Sequence, residues 1–420
     1  MTFSFSQLSP VLQQALQALN YTQPTPIQQQ AIPVVLSGND VMAGAQTGTG
    51  KTAAFALPIL DKLLQQAPSS DSSEVPPDSL VRALILVPTR ELAQQVHQSF
   101  EQYAQHSSLK VGLAYGGVSL NPQLEALKQG VDILVATPGR LLDFLFKKAV
   151  NLDALNTLVF DEADRMLDMG FMDEIQQILK RLPKERQTLL FSATFSDEIF
   201  KLSKQLLSDP KLIEVDARNT AATTVEQKVY VVDADRKREL VSHLIGSKNW
   251  HQVLIFVKTK QGADALAAEM CKDGLVTKAI HGDKSQGARE RVLEEFRSGD
   301  TRVLVATDVA ARGIDIPALN TVINFDLPYI AEDYIHRIGR TGRAGQTGLA
   351  ITLMSLGEEY LLEEIEVILD ERLPQQWLEG YEPDLTKEIP ENRKNTRAAQ
   401  KRRAKQRAHG QSTGKRRRRK

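Results

Sequence analysis

The stretch Ala45-Gln46-Thr47-Gly48-Thr49-Gly50-Lys51-Thr52 has the residue types of a phosphate-binding loop. It follows a short apolar run, residues 40–43, and precedes a helical stretch that extends to Leu64, so a strand should turn into a helix here. Such a turn directs free backbone N–H groups and the positive end of the helix dipole at an anion. Gly48 and Gly50 let the backbone approach phosphate oxygens closely. Lys51 would reach the β and γ phosphates, and the Thr52 hydroxyl would ligate Mg²⁺.

A second set of candidate catalytic residues, Asp161-Glu162-Ala163-Asp164, follows the apolar run from Thr157 to Phe160. Two carboxylates at the end of a strand suit phosphoryl transfer, because one can hold Mg²⁺ and the other can orient the attacking water. Acidic pairs at strand ends also occur as solvated caps, and the loop has Ala45 where the general pattern has glycine. Each signal alone is therefore weak, and the two together point to nucleotide hydrolysis.

The elements that must position these residues come in two series, in which short β-branched or aliphatic runs alternate with helical stretches. The first series of runs covers residues 83–87, 111–115, 133–136, 157–160 and 188–191, and the second covers 228–232, 253–257, 277–280, 302–306, 321–324 and 349–353. Strands that are apolar on both faces and separated by helices indicate parallel sheets covered on both sides. We expect an α/β protein with a first domain over residues 1–215, a linker over 216–226, a second domain over 227–375, and an extension with a disordered basic tail over 376–420.

The composition is that of a globular protein with sizeable cores. The chain has 420 residues, of which 42% are hydrophobic and 25% charged, and this is ordinary for a soluble protein. Its one cysteine, Cys271, excludes an internal disulfide and reads as a small residue on a helix. Neither a signal peptide nor an apolar stretch of about 20 residues that could cross a bilayer is evident. We expect a soluble cytoplasmic protein with no membrane partner.

The net charge of zero hides a strong asymmetry along the chain. All 52 acidic residues lie at or before Glu391, whereas 14 of the 52 lysines and arginines lie between Arg393 and Lys420. Residues 1–391 therefore carry −14 and the last 29 residues carry +14. An acidic body with a basic tail predicts a polyanionic partner, with a solubilising extension as the alternative.

The chain resembles the DEAD-box RNA helicases, whose name is spelled by residues 161–164. The other motifs of that family occur in order over about residues 3–370: segments 24–28, 45–52, 88–92, 116–117, 137–140, 192–194, 254–257, 281–289, 306–315 and 336–343. Segment 281–289 and the stretch 380–384 resemble the bacterial RhlE group. The resemblance implies two tandem RecA-like domains, RNA-dependent ATP hydrolysis, and ATP with Mg²⁺ as cofactors. One departure is Asn20, which stands where the family often has glycine and which also tolerates a left-handed backbone.

The resemblance also assigns roles to individual residues. It implies that Gln28 reads the adenine edge and that Phe3 or Phe5 packs on the base. The implied nucleotide-binding residues are Phe3, Phe5, Tyr21, Gln28, Ala45, Gln46, Thr47, Gly48, Thr49, Gly50, Lys51, Thr52, Gly313 and Asp315, with Thr52 and Asp161 at the metal. The implied catalytic residues are Lys51, Asp161, Glu162, His336, Arg340 and Arg343. The implied RNA-binding residues are Pro88, Thr89, Arg90, Gly116, Gly117, Thr137, Pro138, Arg140, Thr307 and Arg312, and Ser192, Thr194 and Asp164 would couple hydrolysis to strand separation.

This site is divided between the two halves of the chain. Lys51 and Glu162 lie in the first, whereas Arg340 and Arg343 lie in the second, so hydrolysis should wait until ATP and RNA draw the domains together. The resemblance implies an RNA partner with little sequence preference, ribonucleoprotein or ribosomal precursors among the substrates, and roles in ribosome assembly, mRNA decay or cold adaptation. We expect a monomer. The alternatives are a DNA-directed translocase of the same architecture, an ATP-gated RNA clamp or annealing chaperone, and a basic-tailed scaffold.

Overall fold

The computed structural model describes residues 3–44, 49–66, 80–193, 195, 197–214, 225–311, 319–342 and 347–387. These residues form two compact units, one over residues 3–214 and one over residues 225–387. None of the helices in these ranges is both long and apolar enough to cross a membrane. The predicted disordered basic tail, residues 388–420, lies outside the described residues.

The first unit contains a seven-stranded parallel sheet with the order β3-β4-β2-β5-β6-β1-β7. Alternate residues of one strand enter different cores: Ala83 and Ile85 join one apolar cluster, and Leu84 and Leu86 join the other. Because successive side chains of a strand point to opposite faces, both faces of the sheet are covered. The strands are β1 (Val41–Gly44), β2 (Ala83–Leu86), β3 (Val111–Ala114), β4 (Ile133–Ala136), β5 (Thr157–Phe160), β6 (Gln187–Ser192) and β7 (Lys211–Glu214).

The helices of the first unit begin where the sequence provides start signals. Pro10 is the first residue of α1 and Ser9 is its N-cap, and both residue types are favoured at these positions. Asn20, just after that helix, has a φ of 59°, which confirms the left-handed backbone expected there. The helices are α1 (Pro10–Ala18), α2 (Pro26–Leu36), α3 (Lys51–Gln65), α4 (Arg90–Ala104), α5 (Leu120–Lys128), α6 (Pro138–Phe146), α7 (Ala163–Asp168), α8 (Met172–Leu179) and α9 (Asp197–Leu206), with a 3₁₀ turn at Phe5–Gln7.

The second unit repeats the architecture with the strand order β10-β11-β9-β12-β13-β8-β14, again all parallel. Its strands are β8 (Val225–Val231), β9 (Val253–Val257), β10 (Thr277–Ile280), β11 (Val303–Thr307), β12 (Thr321–Asn324), β13 (Gly348–Met354) and β14 (Gln375–Gln376). Its helices are α10 (Lys237–Ser247), α11 (Lys260–Lys272), α12 (Gln286–Ser298), α13 (Asp308–Ala311), α14 (Ala331–Ile338) and α15 (Glu359–Leu369). Cys271 lies on α11, as predicted.

The structure corrects the start of the second unit. The sequence predicts a linker through Glu226, but β8 begins at Val225 because it pairs with β13 over seven residues, from Val225↔Gly348 to Val231↔Met354. At the other end of this unit, residues 376–387 remain packed on its surface. Leu378 and Tyr381 pack against its core.

Candidate active site

Three neighbouring strands of the first sheet bring the candidate catalytic residues to one edge. The central order β5-β6-β1 places the end of β5, followed by Asp161, beside the end of β6, at Ser192, and the end of β1, which leads to Lys51. The carboxyl ends of parallel strands meet at the same edge of a sheet, which is where ligands bind in α/β folds. The structure thus places Lys51, at the start of the helix that follows the predicted phosphate-binding loop, at the same sheet edge as Asp161 and Glu162.

Lys51 and Asp161 are buried polar residues with unused bonding capacity. Their side chains belong to residues that are 6% and 3% exposed. Neither the Lys51 Nζ nor the Asp161 Oδ1 has a hydrogen-bond partner among the described residues. Burial raises the pKa of Asp161 to about 6, against the opposing charge of Lys51 and with a further increase from Glu162. Buried groups without partners are costly, so this pair is suited to a polar or charged ligand.

Glu162 is held in an unusual conformation beside this pair. Its backbone is left-handed, with φ 55° and ψ 52°. Arg165 Nη1 donates to Glu162 Oε2 at 2.7 Å, and the two side chains are 5% and 9% exposed. A non-glycine residue in this region of backbone space is strained, and such strain concentrates at functional sites.

Asp164 links the acidic segment to the end of β6. Its Oδ2 accepts the backbone N–H of Ala193 at 3.0 Å, and its Oδ1 accepts that of Arg165 at 2.9 Å. Ala193 follows the fully buried Ser192. The structure therefore joins Asp164 to the predicted coupling segment, through its backbone.

Gln28 packs against the start of the phosphate-loop helix. Its Oε1 accepts the N–H of Thr25 at 3.0 Å, and its Nε2 donates to the carbonyl of Gly50 at 3.1 Å. Gly50 has a φ of 91°, and a Cβ there would overlap the Gln28 amide. Phe3 and Phe5 are buried in the core of the first unit, where Phe5 contacts the ring of Tyr21. Gln28 is thus bonded to the residue that directly precedes Lys51.

The predicted RNA-binding residues of the first unit lie at the ends of β2, β3 and β4, which are neighbours in the sheet. Arg140 connects two of these segments, because its Nη2 donates to the carbonyl of Val118 at 2.8 Å. Its Nη1 is buried and has no hydrogen-bond partner within the described part of the chain, whereas its Nε pairs with Asp143 Oδ2 at 3.5 Å. The residues gathered at this edge are Pro88, Thr89, Arg90, Gly116, Gly117, Thr137, Pro138 and Arg140.

In the second unit, Arg337 orders the segment that carries His336 and Arg340. Its guanidinium donates to both carboxylate oxygens of Asp308, at 2.6 and 2.8 Å, and to the carbonyl of Asp326 at 2.6 Å. Asp308 directly follows Thr307, the last residue of β11. His336 and Arg340 line a small pocket together with Asp308, Arg337 and two apolar residues, Phe256 and Ala311.

The same helix, α14, is anchored from its buried side by Tyr334. The Tyr334 hydroxyl donates to Gln227 Oε1 at 3.0 Å and accepts from the Thr352 hydroxyl at 3.3 Å. Burial raises the pKa of Tyr334 to about 12, so the hydroxyl stays protonated and keeps its role as a donor. Arg340 lies two residues after the end of this anchored helix and is itself 4% exposed.

Several predicted site residues lie outside the described residues: Ala45, Gln46, Thr47, Gly48, Thr194, Arg312, Gly313, Asp315 and Arg343. Conversely, sequence reasoning did not single out Arg165. Its spacing of three residues from Glu162 gives no helical signal, because Glu162 precedes α7 and has a left-handed backbone.

Two family profiles match the chain. Residues 25–202 match the DEAD/DEAH box helicases, and residues 236–345 match the helicase conserved C-terminal domain. The chain is 42% identical over 369 residues to the ATP-dependent RNA helicase RhlB of Pseudomonas syringae pv. tomato, covering 87% of this chain and 92% of that protein. It is 40% identical to the DEAD-box ATP-dependent RNA helicase CshA of Bacillus subtilis, covering 87% of this chain and 72% of that protein.

Solved structures give the same result at the level of the fold. The chain is similar to S. cerevisiae Dbp5 bound to RNA and ADP–BeF3, with a TM-score of 0.78 and 30% sequence identity. The similarity covers 90% of this chain and 95% of that one.

Proposed function

Because the chain belongs to the DEAD-box helicase family, we propose that it is an ATP-dependent RNA helicase that binds RNA through its backbone and locally separates short duplexes or remodels ribonucleoprotein. The observation that carries the proposal is the buried Lys51 and Asp161, whose Nζ and Oδ1 have no hydrogen-bond partner among the described residues. A cation and a carboxylate at the edge of a parallel sheet, with Gln28 bonded to the residue before Lys51, fit ATP with its metal. The Dbp5 structure with RNA and ADP–BeF3 supports the same assignment.

Each residue of the first unit has a distinct part in this chemistry. Lys51 would contact the phosphates, Gln28 the adenine edge, and Glu162 the attacking water. The unpartnered carboxylate oxygen of Asp161 suits a hard cation. Mg²⁺ bound with ATP would be held by Thr52 and Asp161 and would offset the negative charge of the phosphates. Asp164 would link the nucleotide site to the coupling segment through its hydrogen bond with the backbone N–H of Ala193.

The positive charge that hydrolysis requires would come from the second unit. Arg340 and Arg343 would approach the γ-phosphate when ATP and RNA bring the units together, and an arginine in this role contributes on the order of 10³ to 10⁵ in rate. The bidentate Arg337–Asp308 pair supports this for Arg340, because it fixes the end of the helix from which Arg340 extends. Hydrolysis without RNA should therefore be slow.

RNA would lie across the ends of β2, β3 and β4. Arg140 offers a buried Nη1 that has no hydrogen-bond partner in the described ranges, and arginine forms strong charge-assisted hydrogen bonds with phosphate oxygens. Contacts to the backbone position a nucleic acid without reading its sequence. We therefore expect little sequence preference. In the second unit, the resemblance assigns RNA contacts to Thr307 and Arg312.

Some finer assignments remain predictions. Membership of the RhlE group rests on residues 281–289 and 380–384. The boundaries at 215 and 375, a cytoplasmic location, a monomeric state, and roles in ribosome assembly or RNA decay rest on the sequence and the resemblance.

Strand separation tests the proposed function. A short RNA duplex with a single-stranded extension should dissociate in the presence of the protein and ATP. The duplex should stay intact when ATP is omitted or when the Lys51→Ala variant replaces the wild type. A DNA duplex of the same sequence should stay intact. Separation of the DNA duplex would favour the translocase, and ATP-dependent binding without separation of either duplex would favour the clamp.

A further inference from the structure

We propose that Arg165 is a positioning residue for Glu162, an inference that rests on the proposed function. Arg165 Nη1 donates to Glu162 Oε2 at 2.7 Å, and the two side chains are 5% and 9% exposed. Arg165 would not contact ATP. It would act through the carboxylate that orients the attacking water.

Glu162 needs such support because its backbone conformation is unfavourable. With φ 55° and ψ 52° it occupies the left-handed region, which is unfavourable for a residue with a Cβ because that atom lies too close to the following carbonyl oxygen. This conformation turns the chain sharply from β5 into α7. A carboxylate on a strained turn needs a fixed partner to keep one orientation, and Arg165 is bonded to it three residues later.

Arg165 is itself held in place. Its backbone N–H donates to Asp164 Oδ1 at 2.9 Å and to the carbonyl of Glu162 at 3.1 Å. The next residue, Met166, is fully buried in the core of the first unit. The guanidinium thus extends from a helical turn that is tied to the core, and it transmits that rigidity to Glu162.

The burial of the pair favours a functional role over a purely stabilising one. Desolvation of two buried charges offsets most of their attraction, so a packed apolar pair would hold this turn about as well. What an apolar pair cannot supply is a carboxylate in a single, defined direction. Arginine suits this task better than lysine, because its planar fork fixes the direction of the bond.

The test compares Arg165→Met and Arg165→Lys with the wild type in the full chain, using steady-state ATP hydrolysis with saturating single-stranded RNA. A misplaced reacting group costs on the order of 10²-fold in rate. We expect Arg165→Met to lower kcat by roughly 30- to 100-fold and to change the KM for ATP by less than about threefold. Arg165→Lys keeps the charge and a donor, so its kcat should recover to within about tenfold of the wild type.

Arg82→Met is the matched control. Arg82 pairs with Asp132 at the same 2.7 Å distance in the same unit, but the two residues directly precede β2 and β4 and so lie at the opposite edge of the sheet. Its kcat should equal that of the wild type. Thermal unfolding of each variant shows whether it is folded. If Arg165→Met does not fold, the kcat of Arg165→Lys is compared with that of the wild type instead.

Single-turnover hydrolysis in a Glu162→Gln background separates positioning from general structural damage. If Arg165 acts through Glu162, adding Arg165→Met to Glu162→Gln should lower the rate by less than about twofold. Full additivity, or wild-type kcat in Arg165→Met, would overturn the inference alone. Wild-type hydrolysis by Glu162→Gln would overturn the proposed role of Glu162 as well.

Discussion

Gly117 allows the Arg90 side chain to cross the backbone just after β3. Its φ is 79°, and a Cβ built on it would overlap the Arg90 guanidinium. Gly117→Ala should therefore displace Arg90 from the proposed RNA surface. Because a hydrogen bond to a charged group contributes about 1.5–3 kcal/mol, we expect RNA affinity to fall about tenfold, measured by fluorescence anisotropy with a labelled single strand.

Gly246→Ala provides the matched control for that substitution. Gly246 lies in α10, and a Cβ there meets no other atom within 4 Å. The control should bind RNA like the wild type. Equal affinity of Gly117→Ala and the wild type would contradict the contribution of Arg90 to the RNA surface.

How much of the candidate site could be predicted depends on whether a residue belongs to a contiguous motif. Lys51, Asp161 and Gln28 are recognised from their immediate neighbours in the sequence. Arg165 was missed because its partner depends on the left-handed turn at Glu162, which no composition signal announces. The Asp308–Arg337 pair joins residues 29 positions apart, so only the folded chain reveals it.

At the scale of elements, α15 is attached to the second sheet through one carboxylate between two lysines. Glu358 accepts from Lys237 at 2.9 Å and from Lys258 at 3.0 Å. Burial alone would raise the pKa of Glu358, but the charges of the two lysines outweigh it and hold the pKa at about 2. This residue directly precedes α15 and bonds both lysines and the backbone N–H of Ser355.

Glu358→Gln should destabilise the second unit in a pH-dependent manner. A carboxyl pKa lowered on folding stabilises the protein above the unfolded pKa, and this contribution is lost as the pH falls through the folded pKa. The lowering to about 2 corresponds to at most about 3 kcal/mol. In urea unfolding, the difference between wild type and variant should be full at pH 7 and should shrink from about pH 4.5 toward pH 2.

Glu363→Gln, on an exposed position of α15, is the control. Its urea unfolding should match that of the wild type at pH 7 and at the acidic end of the range. A difference between Glu358→Gln and the wild type that is independent of pH would show that the charge of Glu358 does not carry the stabilisation.

Strands such as β4 and β5 were predicted because they are buried at all four positions and form continuous apolar runs. The strand β7 was missed because it lies at the edge of its sheet and only Ile213 is buried. The strand β14 has two residues, Gln375 and Gln376, too few to produce a pattern. Its register is set by pairing with β8, a long-range interaction that local propensity does not encode.

At the scale of the whole molecule, the charge asymmetry predicts that the basic tail adds RNA affinity. The strap of residues 376–387 ends with Lys387, which pairs with Asp233 at 2.7 Å, so cutting the chain after Glu388 leaves this strap intact. The shortened protein should keep RNA-stimulated ATP hydrolysis but bind RNA more weakly at low salt. The slope of log affinity against log salt should become shallower by roughly 0.7 for each phosphate that the tail neutralises in the full chain.

Measuring the RNA affinity of both proteins between about 50 and 200 mM salt tests this prediction. An unchanged affinity and salt slope in the shortened protein would mean that the tail is a solubilising extension.

The measurement that tests the central claim most directly is steady-state ATP hydrolysis without nucleic acid, with RNA, and with DNA of the same sequence, in the wild type and in Glu162→Gln. The proposed division of the site between the two halves of the chain predicts slow hydrolysis without nucleic acid, strong stimulation by RNA only, and loss of that stimulation in Glu162→Gln. Fast hydrolysis without nucleic acid, or equal stimulation by DNA, would contradict the account.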